Sequence, residues 1–171
     1  MGRSWKAGLA ALLLPLAAGA QVLCSLGANR SAYNPNADER PSPDALELAA
    51  RLDTAVKSIC AAHCPAIALF RNDTASQLML LANAGQAKLV YEPKFFSAAY
   101  DQYGDGAILA LLAHAIGHGL DDAMGAAWIQ SGWPAEVRAD SWGGCELGKA
   151  RLSAPDLAGA LGALAKFPPA G

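Results

Sequence analysis

The chain predicts an α+β domain in which a small, mostly antiparallel sheet packs on one long apolar helix, with an acidic helix following it. Three observations carry this expectation. Short apolar runs at 66–70, 77–82 and 87–91, each bounded by turn residues, have the length of strands. The stretch 106–122 is apolar for most of its length, too long for a strand, and reads as a buried helix. Finally, 171 residues with 53% hydrophobic and 16% charged content suit one packed core and argue against disorder. The net charge of −2, with no Lys/Arg run, gives no electrostatic reason to expect a nucleic-acid partner.

Residues 1–20 are expected to be an export signal rather than part of the fold. Arg3 and Lys6 precede an apolar stretch at 7–18, and Ala18-Gly19-Ala20 has the small-x-small pattern of a cleavage site. The apolar stretch is short for a bilayer span, so no stable membrane span is expected after cleavage, and the mature chain would be periplasmic or secreted. In an oxidising compartment the even count of Cys24, Cys60, Cys64 and Cys145 predicts two disulfides, with three pairings open.

Residues 21–43, rich in Asn, Ser, Pro and Arg without apolar periodicity, read as an extended lead-in to a single domain at 44–171. Ser42-Pro43-Asp44 supplies a cap, a first-turn proline and a first-turn acid, and Ala45, Leu48, Leu52, Val56 and Ile59 recur at helical spacing. The strands follow, the last two joined across Asn83-Ala84-Gly85. Glu92-Pro93 opens a further helix with Phe95, Phe96, Tyr100 and Tyr103, which Gly104 ends. Asp105 can then cap the apolar helix, whose Ile108, Leu111 and Leu112 face the sheet.

That helix carries His114 and His118, four positions apart, so both imidazoles can reach one metal ion. Asp121 and Asp122, near its C-terminus, oppose the helix dipole and hint at a compensating contact that the sequence does not identify. Pro134 opens the acidic helix, where Glu136 and Asp140 are again four apart. One carboxylate can complete a His2Glu zinc site while the other accepts the free ring N–H of a ligating histidine. Gly143-Gly144 permits close helix packing, and Ser153 opens a last helix with Leu157, Leu161, Leu164 and Phe167 that Pro168-Pro169 stops.

His114-x-x-x-His118 followed by Glu136-x-x-Ala139-Asp140 resembles the gluzincin zinc metallopeptidases, whose signature is H-E-x-x-H on one helix and a glutamate on the next. With Gly143, Gly144 and Leu147, the pattern is nearest the group that contains the CAAX-prenyl proteases and heat-shock membrane proteases. The resemblance spans roughly 78–151. It implies a zincin-like fold, Zn2+ held by His114, His118 and Glu136, Asp140 behind them, and hydrolysis of a peptide or unfolded protein segment. It also implies that Asn83 and Ala84 lie on an edge strand along which that segment docks.

Ala115 departs from the pattern, for the family's general-base glutamate belongs at that position. Metal binding is expected to survive, and hydrolysis to fall by about 10²–10⁴-fold for the lost proton transfer. Two competing expectations follow: an exported binding module that holds an extended peptide without cutting it, and a metal-free protein stapled by disulfides.

Overall fold

A computed structural model describes residues 20–27, 32–60, 64–83, 86–124 and 132–167. The expected export signal lies outside these residues apart from Ala20, and Ala84 lies outside them altogether. The elements run β1 (Gln21–Leu26), a 3-10 turn (Pro35–Ala37), α1 (Pro43–Cys60), β2 (Ala66–Arg71), β3 (Leu78–Asn83), β4 (Gln86–Tyr91), α2 (Pro93–Tyr103), α3 (Asp105–Ala123), α4 (Trp133–Lys149) and α5 (Ala154–Lys166). Most helices begin where their local chemistry directs, while α3 starts at Asp105 itself, with Gly104 as the cap residue and without the side-chain cap expected of Asp105. Ser42 Oγ accepts from Ala45 N at 3.3 Å, Ser153 Oγ accepts from Asp156 N at 3.2 Å, and prolines occupy the first turns of α2, α4 and α5.

The sheet is a small mixed one in the order β1-β3-β4-β2, with β1/β3 and β3/β4 antiparallel and β2/β4 parallel. Two readings of the sequence are corrected here. Residues 21–26 are not a lead-in but a strand, because the apolar run through Leu23, Cys24 and Leu26 completes the edge of β3 and buries Cys24, Ser25 and Leu26. As a result β3 lies inside the sheet, so Asn83, its last residue, is not on an edge strand; the edges are β1 and β2. Leu78, Met79, Leu80 and Leu81 are accordingly buried on both faces.

One disulfide, Cys60–Cys64, fastens the end of α1 to the approach to β2. Cys24 and Cys145 do not form the second: Cys24 is buried on β1, and Cys145 is exposed on α4.

The α3 helix is the centre of the fold. It is buried without interruption from Gly106 to Asp121, as a helix apolar all round must be, with the sheet, α1, α2, α4 and α5 around it. Its neighbours come close because side chains are missing where backbones meet. A Cβ on Gly117 would stand 2.4 Å from Ala139 O of α4, and one on Gly106 1.9 Å from Asp156 O of α5.

The outer face of the sheet has a smaller core of Ala75, Met79, Leu81 and Val90, covered by Tyr33 and Phe70. A polar cluster seals it. Asp38 accepts from Tyr33 Oη at 2.9 Å and Asn72 Nδ2 at 2.8 Å and pairs with Lys88, while Asn72 Oδ1 accepts from Thr74 N at 2.8 Å. Burial pushes the Asp38 carboxyl up, but hydrogen bonds from Lys88, Asn72 and Tyr33 outweigh it and hold the group below the ordinary carboxylate range.

Candidate metal centre

The closeness of α3 and α4 at Gly117 and Ala139 lets the first two turns of α4 present Glu136 and Asp140 to the two histidines. His114 Nδ1 lies 2.8 Å from Asp140 Oδ1. A carboxylate only accepts, so Nδ1 carries the proton and Nε2 turns its lone pair inward. Nε2 of His114 and Nε2 of His118 each stand 3.3 Å from Glu136 Oε2. A tetrahedral ion bonded at about 2.0–2.1 Å holds its donors about 3.3–3.4 Å apart, so each of the two nitrogens already stands from the Glu136 oxygen at the spacing of neighbouring ligands.

The two imidazoles differ in how they are satisfied. The His118 contact has hydrogen-bond geometry. The His114 contact has the distance but not the angle, leaving His114 Nε2 buried with no hydrogen-bond partner among the described residues, in a residue 2% exposed. Burial, then repulsion from His114, lowers the pKa of His118 against the opposing pull of Glu136, which favours the neutral imidazole a metal requires.

A third side chain joins them from β1. Cys24, His114 and His118 are all buried and each offers a ligand atom within 4.8 Å of the others, so this group could hold a metal ion.

Asp121 finds the compensating contact its position on α3 demands: Oδ1 accepts from Trp142 Nε1 at 2.7 Å and meets Arg138 at 2.9 Å, both on α4. Asp122 is exposed. Further along α4, Glu146 is wholly buried with neither carboxyl oxygen hydrogen-bonded, and burial raises its pKa to about 9.

A cleft of about 410 Å³ opens beside the histidines between α3, α4 and α5, lined by Ala110, His114, Asp140, Leu147, Arg151 and Leu161 among others. Arg151 is the cation that lines this cleft; Tyr91 is buried against Phe96 and Arg138 is held by Asp121. Ala115 is 0% exposed and does not line the cleft; it belongs to the apolar core.

The sequence thus drew attention to His114, His118, Glu136 and Asp140, which the structure brings together, and to Asn83, which it leaves at the far end of β3. Sequence reasoning treated Cys24 only as a disulfide candidate and passed over Glu146. The short apolar run around Cys24 was a usable strand signal, masked by the polar, Asn- and Pro-containing residues that follow it. Nothing local marks Glu146 as buried.

Compared with known families, curated proteins and solved structures, the chain matches none. Among the described residues, no helix is long and apolar enough to cross a membrane.

Proposed function

We propose that the protein is an exported zinc-binding member of the gluzincin type, with a zincin-like arrangement, in which Ala115 leaves peptide hydrolysis strongly impaired. The observation that carries this reading is the approach of both imidazole Nε2 atoms to one carboxylate oxygen at 3.3 Å, with His114 fixed from behind by Asp140. Imidazole nitrogens with a carboxylate form a borderline donor set that favours zinc over calcium or magnesium.

When bound, the metal supplies a Lewis acid and an activated water. The chain itself supplies the rest. Asp140 holds the His114 tautomer, the cleft beside His114 offers apolar walls to a side chain of a peptide or unfolded segment, and Arg151 offers a cation at its rim. What is missing is a proton carrier at position 115, where a methyl group packs in the core.

Elemental analysis of the purified protein, after incubation with zinc and removal of the excess, tests the site. About one zinc per chain is expected, lost in His114→Ala/His118→Ala. No zinc in the wild type overturns the reading. Peptide cleavage then tests the second half: zinc-dependent rates equal in the wild type and in Ala115→Glu would show that position 115 is not the missing base.

A further inference from the structure

We infer that Cys24 is a fourth ligand of this centre, so that the metal is enclosed by protein donors and ties β1 to α3 and α4. The inference rests on the zinc reading above and goes further, because it replaces an open, water-bearing site with a closed one.

The position of the thiol is the first argument. Its sulfur lies within 4.8 Å of ligand nitrogens of both histidines, in a buried setting, on a strand from the opposite end of the chain. The local backbone is the second. The register of β1 against β3 shifts between Val22, opposite Leu81, and Cys24, opposite Leu80, so Leu23 is an extra residue. A bulge of this kind re-aims the side chain that follows it. Beyond it, Cys24, Ser25 and Leu26 are buried while Val22 is exposed.

The unsatisfied nitrogen is the third argument. His114 Nε2 is buried without a hydrogen-bond partner, a cost that coordination removes. One thiolate, two imidazoles and one carboxylate together make four donors of the types zinc takes, and four protein donors mark a structural site, whereas catalytic sites keep a position open. Binding converts the thiol to a metal-bound thiolate, and its proton leaves to solvent. A core alanine at 115 agrees with this, since a centre with no bound water has no use for a general base.

Cobalt(II) alone, titrated into the metal-stripped full-length protein under reducing conditions, reads the ligand set directly. The expected result is visible bands of a tetrahedral ion together with a thiolate-to-cobalt charge-transfer band in the near ultraviolet, both saturating at one equivalent. Cys24→Ser is expected to lose the charge-transfer band, and to weaken zinc binding by more than the roughly 10–100-fold that losing an outer hydrogen-bond partner costs. Cys145→Ser, which removes the exposed thiol, should keep both. Tetrahedral bands without charge transfer in the wild type would overturn the role of Cys24 and leave the His114–His118–Glu136 site standing, with Cys24 only a small apolar residue of the core. An unchanged charge-transfer band in Cys24→Ser would do the same. Absence of any cobalt or zinc binding would overturn both readings.

Discussion

Two buried polar clusters in this protein are built to different standards. On the outer face of the sheet, Asp38, Tyr33, Asn72, Thr74 and Lys88 satisfy one another: Asn72 donates to Asn34 O at 2.9 Å and Asp38 at 2.8 Å and accepts from both the amide and the hydroxyl of Thr74. Between α3 and α4 the reverse holds. Of the buried side-chain atoms that lack a hydrogen-bond partner among the described residues, all but Ser25 Oγ belong to His114, Asp121 and Glu146 on these two helices. A closed network serves the fold alone; buried lone pairs without hydrogen-bond partners are groups that a ligand can satisfy.

The comparison can be broken most forcefully at Asn72. Asn72→Ala strands Asp38 and Thr74 and should cost about 3 kcal/mol, measured by urea unfolding, while leaving zinc content unchanged. A loss below about 1 kcal/mol would mean that the outer network is ornamental. Zinc addition comes next. Free zinc at a hundredfold excess over its dissociation constant should stabilise the wild type and Asn72→Ala alike by about 2.7 kcal/mol and His114→Ala hardly at all.

Glu146 gives a pH signature. Its folded pKa, about 9, is raised above the ordinary value of 4.5, so the folded state holds a proton the unfolded chain has lost. Stability must therefore fall as pH rises from the unfolded value toward the folded one. Working at pH 7–9 avoids His118, whose lowered pKa places its opposing effect at lower pH. Across that range the wild type should lose about 2 kcal/mol and Glu146→Gln should not; parallel curves would show that Glu146 is ionised or solvated after all. The smallest effect is expected at Asp140. Asp140→Asn keeps every inner donor and should weaken zinc binding by about 10–100-fold, with little change in the stability of the metal-free protein.

Much of the architecture was legible because its signals are local. Ser42-Pro43, Pro93 with Gly104, and Ser153 mark helix ends through bonds within a single turn, and the three apolar runs from 66 to 91 became β2, β3 and β4 within a residue or two. The spacing of His114 to His118 and of Glu136 to Asp140 is likewise helix geometry that a sequence displays. What the sequence hid depends on long-range pairing. Whether β3 lay at an edge was decided by residues 21–26, more than fifty positions upstream, and the parallel pairing of β2 with β4 has no local mark. The partners of Asp121 on α4 and the isolation of Glu146 follow from how two helices meet, which Gly117 permits but does not announce.

The remote origin of β1 also sets an order of events. α3, α4 and α5 are consecutive in the chain, and α4 and α5 both pack on α3, so the histidines and Glu136 can meet early in folding. Leu26 must find Leu78, and closing so long a loop is entropically expensive and slow. β1 is therefore expected to dock last, bringing Cys24 to helices that are already assembled. A chain lengthening from its N-terminus would deliver this strand first and place it last.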